Sequence, residues 1–284
     1  MNAIEWVMEA AKVPSFSSYE ELLHPLVRGV AEKCNGAKIE VVADNNLIVS
    51  VPSMSDTKPI ALSAHLDKIN HFGTDQTDEL HINRENEKLT GLLDDATGVG
   101  ILLYLLEHYE TAKFPPLYFL FSEMEESTGL KQTPHLLKNN GEGRFHGMGA
   151  QRLASHLLKT YRMPEIVVTI DTTPFFKGAP GVALYSKHWE LNGMNPSVEL
   201  IEKTYIIEEW FTKKYPSVAH RNNTNDYLEY GKALNENNTS AIPSIAIEPA
   251  IFPYHCADEG VFEKDIEAVT EITIDFLTSF PFYA

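Results

Sequence analysis

Three carboxylates and two imidazoles that can bind metal, His65, Asp94, Glu126, Asp171 and His255, follow one another in the order His–Asp–Glu–Asp–His. Four of them end or closely follow short apolar runs. Ile60–Ala64 leads into His65, Leu117–Phe121 into Glu125 and Glu126, Ile166–Ile170 into Asp171, and Ser244–Ile247, through Pro249 and Pro253, into His255. Asp94 opens an apolar, helix-like pattern. Such side chains brought one by one to the C-terminal edge of a sheet are what a hydrolytic site with two metals requires. All offer nitrogen or oxygen, the donor set suited to Zn²⁺, Mn²⁺ or Co²⁺.

Each residue also has a plain structural use. Asp94 and Asp95 could cap a helix, the acids at 123, 125 and 126 could be an acidic helix start, Asp171 could form an Asx turn before Pro174, and His255 could be an interior histidine. Placement of all five beside different strands carries the catalytic reading. Asp67 adds to it, because extended backbone puts His65 and Asp67 on one side and an imidazole that binds metal usually gives its other N–H to a neighbouring oxygen. Glu125 beside Glu126 adds more: if one binds metal, the other can accept a proton from water. Which of Glu123, Glu125 and Glu126 does what is left open by the residues alone.

The elements that must position these groups read as α/β. Residues 2–34 form a helix, a break at Pro14–Ser18 and a second helix opened by the capping-box pattern Ser18-Tyr-Glu-Glu21. A hairpin follows, Lys38–Ala43 and Leu47–Pro52, turned by Asp44-Asn45-Asn46. The four apolar runs are central strands covered on both faces. Gly98–His108, Arg152–Tyr161 and Asp265–Phe280 read as helices. The polar stretches Thr74–Glu87 and Ala219–Thr239 read as loops rimming the site, and Lys187-His188-Trp189 as surface loop.

A 284-residue chain with 43% hydrophobic and 22% charged residues can bury a substantial core. Its net charge of −17, with no Lys/Arg stripe, argues against nucleic-acid and anionic-membrane partners. Two cysteines far apart exclude a disulfide framework, and without a signal-like or membrane-spanning apolar run a cytoplasmic protein is expected. Oligomeric state is not written in the composition.

With these motifs the chain resembles the co-catalytic di-zinc aminopeptidases of the M28 and M42 type, with M20 carboxypeptidases more distant. The resemblance rests on Ser63-Ala-His65-Leu-Asp67, Gly91-Leu-Leu-Asp94-Asp95-Ala-Thr-Gly98, Glu125-Glu126, Asp171-Thr-Thr and His255, with Pro14–Glu21 and Asp44–Val49 as further landmarks. It implies a three-layer α/β/α sandwich around a mixed, mostly parallel sheet, as in the phosphorylase/hydrolase-like zinc exopeptidases. It also implies two metal ions, zinc foremost, one held by His65 and Glu126, the other by Asp171 and His255, and Asp94 bridging them. Glu125 is then the general base, Asp67 the residue orienting His65, the peptide after Asp94 cis, and the substrate a peptide or small aminoacyl compound cleaved by a water shared between the metals. Two residues, Ser127 and Thr128, separate Glu126 from Gly129 where the family usually has one. Only 28 residues separate His65 from Asp94, and 83 separate Asp171 from His255. Residues 1–284 are therefore expected to form one catalytic domain without a large inserted lid or dimerisation domain. The alternatives are a non-catalytic metal-binding homologue, a related amidohydrolase and a single-zinc cyclase.

Overall fold

Strands buried on both faces account for the near-continuous apolar runs. The computed structural model describes residues 1–69, 78–236 and 240–282, with the backbone alone at 127 and 128. Its strands are β1 (Lys38–Val42), β2 (Asn46–Val51), β3 (Ile60–His65), β4 (Asn83–Glu85), β5 (Lys88–Gly91), β6 (Leu117–Ser122), β7 (Val167–Ile170), β8 (Val182–Tyr185), β9 (Ala219–Arg221), β10 (Ser244–Pro249) and β11 (Glu259–Phe262). The α-helices are α1 (Ala3–Lys12), α2 (His24–Ala31), α3 (Ala96–Glu107), α4 (Ser127–Gln132), α5 (Met148–Thr160), α6 (His188–Asn192), α7 (Val198–Lys214), α8 (Asp226–Asn235) and α9 (Glu263–Ser279).

Eight strands form one sheet in the order β1-β2-β6-β3-β7-β10-β8-β9, and β11-β5-β4 form a small second sheet. The central four, β6, β3, β7 and β10, run parallel, β2 is antiparallel to β1 and β6, and β8 is antiparallel to β10 and parallel to β9. Alternate residues feed two cores. Leu62, Phe119, Val168 and Ile247 pack against α1, α3 and α9 through Val7, Leu103 and Ile266. Ala61, Leu120 and Val167 pack against α5 and α8 through Leu153, Leu157 and Tyr230. This is the expected α/β/α arrangement. Helix α3 is apolar nearly all round because it lies between the sheet and α1.

Several local expectations are corrected. Ser18 opens no capping box; its N–H donates to Glu20, and its hydroxyl accepts from the Lys138 N–H. The capping box is at α1, where Asn2 and Glu5 bond reciprocally. Within 219–239, read as a loop, lie β9 and the whole of α8, whose Tyr227, Tyr230 and Leu234 face inward while its polar residues mask the periodicity. Residues 237–239 of that stretch lie outside the described residues, as do 74–77 of the other polar stretch, which contains β4. His188 is not on a surface loop: it is fully buried on α6, against Gly231. Among the described residues no helix is long and apolar enough to cross a membrane.

Two predictions follow from this packing. A Cβ on Gly100 of α3 would sit 2.4 Å from backbone atoms of Val7 on α1. Gly100→Ala should therefore force the two helices apart and destabilise the fold by about 1–3 kcal/mol, read as a lower urea midpoint at unchanged m-value. Burial pushes the His188 pKa down to about 4, and neither ring nitrogen has a hydrogen-bond partner. The unfolded chain then takes up a proton near pH 6.5 that the folded chain refuses until about pH 4. Stability from this residue is full above pH 6.5 and is lost as pH falls towards 4, by up to about 3 kcal/mol. His188→Leu should flatten that part of the stability–pH curve measured by denaturation.

Candidate metal centre

The parallel centre of the sheet delivers four of the five candidate ligands to one edge. His65 ends β3, Glu125 and Glu126 follow β6, Asp171 follows β7, and His255 stands on the loop after β10. Asp94 arrives from the small sheet, between β5 and α3, and its peptide to Asp95 is cis. The acidic pair divides its work: Asp95 caps α3 by accepting the Gly98 N–H at 2.7 Å, which leaves Asp94 to face the histidines. A Cβ on Gly98 would meet the Asp95 carboxylate and the Ile170 carbonyl at 2.3 Å, so this turn accepts only glycine.

Asp94 presents one oxygen to each imidazole. Its Oδ1 lies 3.2 Å from His65 Nε2 and its Oδ2 3.7 Å from His255 Nε2. Asp171 Oδ1 stands 3.7 Å from the same His65 nitrogen, and Glu126 Oε2 stands 3.3 Å from that of His255. Two triads result, His65–Asp94–Asp171 and Asp94–Glu126–His255, each with its ligand atoms within 4.8 Å of one another. A third set, His65 with Glu125 and Glu126, meets the same limit. These distances set Asp171 beside His65 and Glu126 beside His255, whereas the family resemblance implies His65 with Glu126 and Asp171 with His255.

Charge decides what this cleft can hold. Burial drives the Glu125 carboxyl well above its usual range, with Glu126 and Asp171 adding to the rise, and it pushes Glu126 up to about 7 with the help of Asp94. Burial raises Asp171 as well. Burial would also raise Asp94, but His255 and His65 hold it below the usual carboxylate range. Burial works against protonation of His65, yet Asp171, Asp67 and Asp94 pull it well above 6.5; Asp94 and Glu126 draw His255 up to about 10 in the same way. Without added cations the imidazoles take protons to supply the positive charge the carboxylates demand. Glu126 Oε1 and His255 Nε2 are buried and make no hydrogen bond, as free ligand atoms would be. The residues fit a pair of divalent cations bound through nitrogen and oxygen.

Around the acids, the landmarks of the N-terminal third are braces. Asp67 accepts the backbone N–H groups of Glu125 at 2.9 Å and Glu126 at 3.1 Å and the Ser17 hydroxyl at 2.8 Å, while its other side lies 3.4 Å from His65 Nδ1. His65 Nδ1 is 3.0 Å from the Asp67 carbonyl, which sets the ring. Glu20 is buried and accepts from Asn45 and from the N–H of Met124, a residue held at φ 55°. Glu123 bonds Asn46 and Arg152 at 2.6 Å each, so it anchors the loop instead of entering the site. Ser127 and Thr128, the extra spacing, fall at the start of α4, after the pair.

Other participants had no legible signal. Glu259 accepts from the N–H groups of Leu93 and Asp94 through one oxygen and from that of His255 through the other, tying two loops together. The Tyr254 ring stacks on His255 with centroids 3.7 Å apart. Asp226, at the start of α8, accepts the Ser122 hydroxyl behind His65 at 2.5 Å. Each is a lone residue in a stretch without pattern.

Comparison with known proteins agrees with this geometry. Peptidase family M28 matches residues 46–175, which contain His65, Asp94, Glu125, Glu126 and Asp171. The TET1 peptidase of Pyrococcus horikoshii, reported to assemble into a tetrahedron or a large octahedral shell, superposes with TM-score 0.65 at 15% identity, over 98% of this chain and 100% of the other. An aminopeptidase from the archaeon Desulfurococcus kamchatkensis gives 0.65 at 14% identity, over 98% and 94%. A tripeptidase from Staphylococcus aureus gives 0.64 at 12%, over 97% of each chain. No curated protein sequence matches the chain. At such identities the structures show the fold, and the family match over residues 46–175 supports a metal-dependent peptide hydrolase.

Asp67→Asn would turn an amide N–H₂ towards the Glu125 and Glu126 N–H donors. It should weaken metal binding about 10- to 100-fold while the chain stays folded, measured by competition against a chelator.

Proposed function

We propose that this M28-type peptide hydrolase is an aminopeptidase that works with two divalent ions, zinc foremost, with residues 1–284 acting as one catalytic unit. The observation that carries it is the pair of triads sharing Asp94, one carboxylate oxygen turned to each imidazole. His65 and Asp171 would hold one ion, Glu126 and His255 the other, and Asp94 both. When bound, such ions lower the pKa of water and polarise a carbonyl oxygen.

The remaining steps belong to the chain's own residues. Glu125 is buried beside the triads with a carboxyl whose proton affinity burial has raised, the state a general base needs if it is to take a proton from water and later hand it to the leaving amine. Asp67 holds the backbone of Glu125 and Glu126 and the His65 side of the cleft in one frame, so the base and the water site keep a fixed separation. Glu259 does the same for Asp94 and His255. Cys34 and Cys256 are both free, which suits the reducing cytoplasm.

Elemental analysis of the purified chain should give two equivalents of metal; one equivalent without aminopeptidase activity would favour the single-zinc cyclase or the non-catalytic metal-binding homologue. Glu125→Gln keeps the shape of the base and removes its proton acceptor. It should lower kcat on aminoacyl anilides by about 10²- to 10⁴-fold with metal content unchanged. Full turnover by that variant would sink the assignment.

A further inference from the structure

Glu248 is the last acid of β10 and is absent from the metal triads. Pairing of β3 with β7 at Ser63 and Thr169, and of β7 with β10 at Ile170 and Ile247, sets His65, Asp171 and Glu248 in one transverse row on three adjacent strands. Glu248 is 1% exposed. Its Oε1 accepts from Asn225 Nδ2 at 2.5 Å, the Tyr185 hydroxyl is a second donor to the carboxylate, and its Oε2 is buried without a hydrogen-bond partner of good geometry. Burial, then the charge of Asp171, pushes its carboxyl well above the usual range; hydrogen bonds from Tyr185 and Asn225 work against the rise and the charge of Asp94 adds to it. A buried carboxylate that has only neutral donors and stands beside two more acids calls for a cationic one.

The place in the row says which donor. Glu125 follows β6, on one side of His65, and Glu248 lies beyond Asp171 on the other, in the order β6-β3-β7-β10. A substrate lying along the row with its leaving amine at Glu125 directs its N-terminal end towards β10. The α-nitrogen lies two bonds, about 2.5 Å, from the scissile carbonyl carbon. Neighbouring strands are about 4.8 Å apart, so a free N-terminus beside Asp171 comes within reach of the next strand.

We propose that Glu248, positioned by Asn225, receives the free α-ammonium of the substrate and makes the centre selective for unblocked N-termini. This rests on the aminopeptidase reading above. In a water-poor cleft the ammonium–carboxylate bond is stronger than in water, and an acylated nitrogen can neither supply the charge nor fit its acyl group against β10.

The test compares leucine p-nitroanilide with its des-amino counterpart, 4-methylpentanoyl p-nitroanilide, on the zinc-loaded enzyme. Wild type should prefer the amine-bearing substrate in kcat/KM, and Glu248→Gln should cut that preference about 10- to 100-fold, mainly through a higher KM for the amine-bearing substrate. Asn225→Asp keeps an oxygen for the Tyr227 N–H that caps α8 but removes the donor to Glu248, and should act in the same direction. An unchanged preference overturns the proposal. So does an equal loss on both substrates with lower metal content, which marks a structural role. If wild type cleaves neither anilide, the aminopeptidase reading fails instead. Glu248 is then judged by thermal shift with L-leucinamide against 4-methylpentanamide: a stabilisation specific to the amine and lost in Glu248→Gln supports it, and equal shifts overturn it.

Discussion

Asp94 stands between two histidines with one oxygen for each, and four more acids, Glu125, Glu126, Asp171 and Glu248, share its cleft. Like charges so close in a water-poor cleft repel strongly, and burial alone would protonate most of them. What keeps them together is the frame around them. The sheet fixes His65, Asp171 and Glu248 in register, and the turn before α3 fixes Asp94. Hydrogen bonds from backbone and side chains hold the loops that carry Glu125, Glu126 and His255. A site of this kind stores electrostatic demand that cations can satisfy, and a peptide hydrolase uses those cations at the bond it cleaves.

The frame spends its polar side chains on loops more than on ligands. Glu20, Glu123 and Glu259 are buried acids whose oxygens accept backbone or amide N–H groups from the turn between β1 and β2, the loop after β6 and the loop before α3. Lys68 is the counterpart on the other side. It is fully buried, and burial lowers its pKa to about 7. Its Nζ donates to the carbonyls of Ala10 and Val13 and to the Ser15 hydroxyl. It thereby ties the C-terminal end of α1 to the segment that carries Asp67. Loops braced this way can hold several catalytic groups in fixed relation.

How much was legible in the chain differs from element to element. The central strands were readable because each is apolar throughout, which only a strand covered on both faces requires. Helix α8 was missed because Asp226, Glu229, Lys232 and Asn235 break up its apolar pattern although Asp226 and Asn235 are themselves buried, and β4, β5, β9 and β11 were missed because three or four residues carry no period. Four of the five candidate ligands are legible because they end or closely follow an apolar run, and Asp94 because it opens an apolar, helix-like one. Glu259 and Glu248 are not, since Glu259 bonds loops distant in sequence and Glu248 is one acid at the end of a strand.

The order His–Asp–Glu–Asp–His, the α/β class and the adjacency of Glu125 to Glu126 are properties of the sequence itself, since local periodicity and residue type are enough to state them. The partition of the ligands belongs to the tertiary structure. Which histidine meets Asp171 depends on strand order, and sequence distance says nothing of it: β3 pairs with β7, so His65 and Asp171 are neighbours 106 positions apart. The division of labour between Asp94 and Asp95, the retreat of Glu123 into a loop anchor and the place of Glu248 in the row were decided in the same way, by where the chain's distant segments meet.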